Sequence, residues 1–384
     1  MAIEGELIVR LACVARRVRQ VTVRSTRPMI AARVLAGKTA ADAAAMVPRL
    51  FSICGGAQGT AAAAALGAAG ATGPAFDLAS RDQEVMLEAL QDTFWHLLID
   101  WPNTMGTAPC ATPVAAARFQ IASSMSAAAG TPRFADVSAM RALGLSLSTL
   151  ATQSVFGMPP AEWLEQRGVD ALKAWCARGK TVPAVLLGHL LVDRPSLGRS
   201  AIPLMPAPQI DALLRVIVPA MRDDPAFSRA PTWAGAPVET GGLARMRAEP
   251  LVVALQEQFG NAVVTRMVAR LAELARLLLE LNGTDSRTDM PPRVQSLALG
   301  EGEGLAVVET ARGLLLHRAR VHEQCVVDYQ MVAPTEWNFH PDGALVRGLE
   351  GLEADDEPRL IGAARLAVHA LDPCVAFRIE SDHA

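Results

Sequence analysis

The chain has 384 residues, of which 51% are hydrophobic and 20% charged, with 36 basic and 39 acidic side chains giving a net charge of −3. That length can bury a substantial core, and the composition excludes a disordered chain. The near-even charge balance gives no general attraction to nucleic acid or to an anionic membrane surface.

The mean hydropathy of +0.23 comes largely from alanine. Arg118 interrupts the apolar stretch 111–129, and Pro74 with several glycines interrupts 57–75. Neither is a clean apolar run of the roughly 20 residues a bilayer requires. Met1 to Arg10 shows no basic segment leading into an apolar run. No secretory signal is therefore expected. Cysteines stand at 13, 54, 110, 176, 325 and 374 with no CxxC spacing, which suits reduced thiols. Cys13, Cys110, Cys176 and Cys325 read as buried small apolar residues.

In chain order, Leu7, Val9, Leu11 and Cys13 alternate with Ile8, Arg10 and Ala12, and Val21-Thr22-Val23 follows. This predicts an N-terminal hairpin or meander with Arg16, Arg17 and Arg19 near its turn. A short helix beginning at Ala31 stops at Gly37, and Thr39 is placed to cap another running to Leu50. Gly55-Gly56 breaks the chain before the alanine-rich run 60–69 resumes as helix. Segment 82–100 sets Val85, Leu87, Leu90, Phe94, Leu97 and Leu98 near one helical face. Helices are also predicted over 136–156, 160–178, 209–222 and 249–282, the last divided at Gly260-Asn261. Proline and glycine mark loops at 195–208 and 224–243. Beyond Pro291, strands are predicted over 305–308, 313–319 and 325–332, then a helix over 357–370 leading into Asp372-Pro373-Cys374. The sum is an α+β chain with β segments from both ends and a helical centre. We read it as a single domain, 1–384: an N-terminal β segment and cysteine motif (1–60), a helical core (61–290), and a β segment with a C-terminal cysteine motif (291–384).

Cys54, in Arg49-Leu50-Phe51-Ser52-Ile53-Cys54-Gly55-Gly56-Ala57-Gln58, precedes small residues that admit a backbone or ligand closely. Alone it also suits a packed thiol at a tight helix junction. Cys374, near the end of the sequence, suits either a packed thiol or a tail docked inside the fold.

Taken together with their contexts, these residues resemble the large subunit of nickel–iron hydrogenase, whose motifs are RxCGxCxxxH near the N-terminus and DPCxxCxxH near the C-terminus. The resemblance begins at Ile3-Glu4-Gly5, continues through Gly37-Lys38 to Arg49 and Cys54, and returns at Glu309-Thr310-Ala311-Arg312-Gly313. It runs on through Asp328-Tyr329-Gln330 and Ala333-Pro334-Thr335-Glu336-Trp337-Asn338 to Asp372-Pro373-Cys374. About the first 60 and last 80 residues carry it, and it implies the large-subunit fold.

The departures matter as much. In the family four thiolates hold nickel and two of them bridge to iron, a soft-donor site. Phe51 and Phe377 stand where two of those cysteines belong, leaving Cys54 and Cys374. No nickel and no hydrogenase catalysis are therefore expected. Gln58 replaces a histidine. Ala32 and Glu380 replace the family's ligands to a structural divalent ion, and only four residues follow Glu380, so no counterpart of the family's clipped tail is expected.

One cysteine kept from each pair resembles the HupK/HoxV family of hydrogenase accessory proteins. That resemblance implies a cytoplasmic, non-catalytic scaffold that receives an Fe(CN)2(CO) fragment and passes it to the hydrogenase large-subunit precursor. A small HypC-like chaperone and the iron–cyanide assembly machinery are the implied partners. Cys54 and Cys374 would hold iron, and Arg312 and Thr335 would donate to cyanide nitrogen. Glu4 matches a proton-relay glutamate. Outside the resemblance, Arg312 fits a surface ion pair, Thr335 a turn hydroxyl and Glu4 an exposed strand acid. Cys374 matches a nickel-only ligand, so either iron sits differently here or Cys374 has another task, such as contact with a chaperone.

Other features carry less. Gly55 to Gly59 lacks the Gly-Lys-Ser/Thr of a phosphate loop, and the Gly300 to Gly304 stretch alternates with glutamates like a turn. His96 reads as a satisfied core histidine. His317 and His322, flanking a strand turn, lack a third partner for zinc. Two other functions compete: a residual redox metalloenzyme, which would bind nickel and reduce dyes with hydrogen, and a metal-free docking protein for maturation chaperones, which would keep working without Cys54 and Cys374.

Overall fold

Alternating apolar residues put Leu7, Val9 and Leu11 of strand β1 (Glu6–Val14) into the interior. The structure is a computed structural model that describes residues 5–27, 31–51, 53–72, 77–125, 136–285 and 291–383. Ile3 and Glu4 lie outside these residues, as does Ser52. β1 pairs antiparallel with β2 (Arg17–Ser25), Val9 facing Val23 and Leu11 facing Val21. Ala15 and Arg16, at φ 51° and 65°, form the turn. Two consecutive left-handed residues match the strand twist of a two-residue hairpin.

The other neighbour of β1 was not expected. β7 (Ala376–His383) runs parallel to it, with Leu7 beside Phe377 and Val9 beside Ile379, giving the order β2-β1-β7. Only Phe377 and Ile379 alternate as apolar residues there, amid Arg378, Glu380, Ser381 and Asp382, so the segment carries little strand signal of its own. The pairing with β1 supplies what its sequence lacks.

A second, antiparallel sheet has the order β3-β4-β5-β6, from Val294–Gly300, Glu303–Thr310, Gly313–His322 and Cys325–Val332. Only β3 was absent from the sequence reading. Helix Gly55–Ala68 lies directly against β4. A β-carbon at Gly304 would stand 2.2 Å from the Ala65 carbonyl oxygen, so this glycine sets how closely helix and sheet approach. Ala57, Ala61, Ala64 and Ala65 of that helix join Ala306, Val308 and Leu315 in one apolar cluster.

Between the sheets lies the helical centre. Helix Leu78–Trp95, capped by Asp77, continues through the π-helical turn His96–Asp100. Helices Val137–Ala151 and Val182–Asp193 pack against helix Val263–Leu281, and helix Ala111–Met125 packs against Leu78–Trp95 and Val137–Ala151. The sequence predicts no helix over Ala111–Met125 or Val182–Asp193. The predicted break at Gly260-Asn261 is present, with Gly260 at φ 69° between Pro250–Phe259 and Val263–Leu281. The predicted 160–178 helix is two pieces, Pro160–Leu164 and Gly168–Ala177, divided before Gly168 at φ 76°. Helix Val263–Leu281 is buried on nearly all sides and carries charge inward: Arg266 pairs with Glu239 at 2.8 Å, and Arg270 with Asp372 at 3.2 Å. Buried charges persist only when paired in this way. Among the described residues, no helix is long and apolar enough to cross a membrane.

Candidate functional site: a thiol pair closed by both ends of the chain

Cys54 occupies the N-cap of helix Gly55–Ala68. The small residues after it are each required by a close contact. A β-carbon at Gly55 would lie 2.8 Å from the Pro48 carbonyl oxygen, and one at Gly59 would lie 2.6 Å from the Pro48 ring. At Gly56 it would approach Glu88 Oε1 to 3.0 Å. Glu88, from the neighbouring helix, accepts the free N–H groups of Gly56 at 2.9 Å and Ala57 at 2.8 Å, a cap supplied from outside the helix. Burial pushes the Glu88 carboxyl up to about 7, with the charge of Asp92 adding to it.

Cys374 arrives from the other end of the sequence. Helix Glu357–Leu371 stops at Asp372, whose φ of 50° turns the chain. Asp372 lies 3.2 Å from Arg270, 3.4 Å from Arg312 and 3.4 Å from His96. Burial works against its charge, yet Arg312, His96 and Arg270 hold its carboxyl well below the usual range. Two residues later the Cys374 sulfur lies 3.1 Å from Thr335 Oγ1 and 3.4 Å from Arg27 Nη2, and its backbone N–H donates to Thr335 Oγ1 at 3.2 Å.

The structure therefore brings together two cysteines that stand 320 positions apart in sequence. The two thiols act on each other's protonation in opposite directions. Donation from Cys54 stabilises the Cys374 thiolate against the cost of its burial, helped by Arg27, Arg312 and Thr335. The same bond, with burial and the Cys374 charge, pushes the Cys54 thiol well up. Of six free cysteines, these two form the pair.

Arg312 is buried, which removes the surface ion-pair alternative. It donates to Asp92 at 2.6 Å, and its charge reaches both cysteines. Thr335 is also buried, but its hydroxyl is engaged with Cys374. Arg27 stacks over the Phe51 ring at 5.5 Å and pairs with Glu336 at 3.3 Å. The sequence reading gave no role to Arg27, Glu336, Glu88 or Asp92. None lies in a spacing pattern with either cysteine, and only the fold assembles them.

Gln58 links Cys54 to a buried chain. Its Nε2 lies 3.7 Å from Cys54 Sγ, its Oε1 2.9 Å from His317 Nε2, and His317 Nδ1 lies 2.6 Å from the Tyr329 hydroxyl. Burial pushes His317 down to about 3, so its ring is neutral. His317 and His322 do not flank a turn as predicted. Both lie on β5, one buried and one exposed, and they form no shared site. Phe377 packs edge-on against His369, ring centres 5.2 Å apart. Glu380 is taken up by Arg10 at 2.6 Å and Arg378 at 2.7 Å on the β1–β7 face; the Ala32 side chain lies outside the described residues. Cys13 and Cys176 are buried as expected, whereas Cys110 and Cys325 are only half-buried, each lying at or beside an element end. A cavity of about 640 Å³ opens beside Asp92, Arg312, Asp372 and Pro373.

Comparison with known proteins follows the same lines. Residues 248–379 match the family model described as nickel-dependent hydrogenase. The hydrogenase expression/formation protein HoxV of Cupriavidus necator is 30% identical over 92% of this chain and 91% of its own length. HupV of Azotobacter chroococcum, described in the same words, is 32% identical over 96% of each chain. HupK of Bradyrhizobium diazoefficiens is 31% identical over 91% of this chain and 89% of its own. Among solved structures, the nickel–iron–selenium hydrogenase of Desulfovibrio vulgaris Hildenborough superposes with a TM-score of 0.55 at 19% identity, over 94% of each chain. The fold is that of a hydrogenase large subunit.

Proposed function

Because this chain belongs to the HoxV/HupK family of hydrogenase expression/formation proteins, we propose that it is a non-catalytic carrier for the Fe(CN)2(CO) fragment during maturation of a nickel–iron hydrogenase large subunit. The observation that carries this reading is the Cys54–Cys374 pair, built from both ends of the chain and set among Arg27, Arg312 and Thr335. Thiolates are the soft donors that suit low-spin iron. Iron(II) with two cyanides and one carbonyl is neutral, so two thiolates leave the loaded site anionic, and the two guanidiniums oppose that charge. Cys374 enters as the thiolate. Cys54 must release its proton when its sulfur joins, and Glu88, held near neutrality, is a suitable acceptor.

Arg312 is the cyanide-side donor in this reading. Thr335 acts first on Cys374, fixing the sulfur and its backbone, and can turn its proton to cyanide only by sharing it. With Phe51 and Phe377 offering no donor atoms, nickel has no place, and two protein ligands keep the cargo releasable. The recipient is the large-subunit precursor; a small HypC-like chaperone and the iron–cyanide machinery load the site, in the cytoplasm.

The test is infrared spectroscopy of anaerobically purified protein co-produced with active hydrogenase maturation proteins. Carbonyl and cyanide stretches that disappear in Cys54→Ser are expected. Their absence from the unaltered protein, with the maturation proteins shown to be active, would overturn the carrier reading in favour of a metal-free docking protein.

A further inference from the structure

Beyond the thiol pair, the described residues contain one other group with metal-binding character: His96, Asp100 and His369, each offering a ligand atom within 4.8 Å of the others. We propose that these three side chains form a second metal site, for a divalent first-row transition ion such as zinc or ferrous iron, separate from the thiol pair. Two imidazoles and one carboxylate with a free position form a donor set for such ions.

Three observations support it. First, His96 and Asp100 begin and end the π-helical turn His96–Asp100, and His96 Nδ1 stands 3.2 Å from Asp100 Oδ2. Bond lengths of about 2.0–2.1 Å in a tetrahedral site put neighbouring donors about 3.3 Å apart, so this pair already has ligand spacing. Single π turns inside α-helices recur at functional sites. Second, His96 is buried and its Nε2 has no hydrogen-bond partner, so no protein acceptor or donor fixes the ring's tautomer, and Nε2 can carry the ring proton while Nδ1, facing Asp100, serves as the donor. Third, Asp372 stands 3.4 Å from the same His96 Nδ1, outside the triad, a second carboxylate whose negative charge favours a cation there. His369 comes from the last turn of a different helix and needs only a side-chain adjustment to close the set.

Asp100 and His369 line the 640 Å³ cavity, so an ion and an exchangeable ligand can reach them. Arg118, Arg365 and Arg378 line the same cavity and oppose a cation. Binding should therefore tighten as salt screens them, opposite to a site dominated by acidic groups.

The site does not rest on the iron-carrier reading, and its test is run without the thiol pair. Full-length Cys54→Ser/Cys374→Ser protein, stripped with chelator and kept anaerobic, is titrated with cobalt(II) alone. One saturable equivalent is expected, with visible ligand-field bands, no thiolate charge-transfer band, and displacement by zinc. His369→Ala and Asp100→Asn, both at the cavity wall, should each weaken binding at least about tenfold while the circular dichroism and unfolding midpoint of the metal-free protein stay unchanged. X-ray absorption of the zinc form should show nitrogen and oxygen neighbours without sulfur. No saturable cobalt, a sulfur-bearing shell, or affinity that both variants leave intact would overturn the proposal.

Discussion

Thr335 holds Cys374 twice, accepting its backbone N–H at 3.2 Å and standing 3.1 Å from its sulfur. Replacing the hydroxyl strands a buried N–H and removes a stabiliser of the thiolate. Thr335→Val should therefore cost about 1–3 kcal/mol of stability and move ionisation of the thiol pair to higher pH, while Thr335→Ser should restore both. Ultraviolet titration of thiolate absorbance against a Cys374→Ser baseline checks this. An unchanged titration in the valine variant would show that the hydroxyl only packs there.

Glu88 makes stability depend on pH in an unusual direction. Its folded pKa of about 7 lies above its ordinary 4.5. Between those values the folded chain keeps a proton that the unfolded chain has released. Stability should fall as pH rises through that window and level off above it. At about 1.4 kcal/mol per unit, the loss is at most about 3 kcal/mol. Glu88→Gln should remove this slope, read as the difference in denaturant midpoint between the two proteins from pH 4.5 to 7. It should also make Cys54 easier to ionise, since the Glu88 charge opposes the thiolate.

Arg312→Met should be severe. Asp372 retains Arg270 and His96, but Asp92 loses the guanidinium that donates to it at 2.6 Å. Breaking one side of a buried pair costs about 3–5 kcal/mol. The deficit should shrink on mild acidification, as Asp92 takes up a proton, and Arg312→Lys should recover part of it. Urea denaturation at neutral and mildly acidic pH distinguishes this from a simple packing loss, which would not change with pH.

Gly304→Ala tests the support beneath Cys54. The added carbon would meet the Ala65 carbonyl oxygen at 2.2 Å, so helix Gly55–Ala68 must move off β4. A loss of about 1–3 kcal/mol is expected. The alkylation rates of Cys54 and Cys374 should change although neither residue is near the substitution. Unaltered thiol reactivity would mean that the helix N-terminus is held by Glu88 alone.

What the sequence disclosed and withheld has physical reasons. β1 was legible because Leu7, Val9, Leu11 and Cys13 recur at every second position, β2 because Val21-Thr22-Val23 is β-prone, and Gly260 announced the break between two helices by the conformation it permits. β7 was illegible because its register is set by β1 and not by its own alternation. Cys54, Cys374, Arg312 and Thr335 were identified through resemblance, and the fold brings them to one place. Arg27, Glu88 and Asp92 escaped notice because a lone charged residue in a loop or on a helix looks the same whether it meets water or a buried thiol. His96 was read as a satisfied core histidine. Its burial agrees, but its unpartnered Nε2 does not.

On the proposed carrier reading, the parallel seam between β1 and β7 bears on how an iron load would be sensed. Cys374 stands two residues before β7, so the position of its sulfur depends on that seam. An ion gripped by both sulfurs would act as a clasp between residues 320 positions apart, made in the folded chain and lost on unfolding. Loading would then register as resistance to unfolding, and unloading would leave the seam as the place where the molecule first opens. Hydrogen exchange along β7 would thus report occupancy without any view of the iron itself.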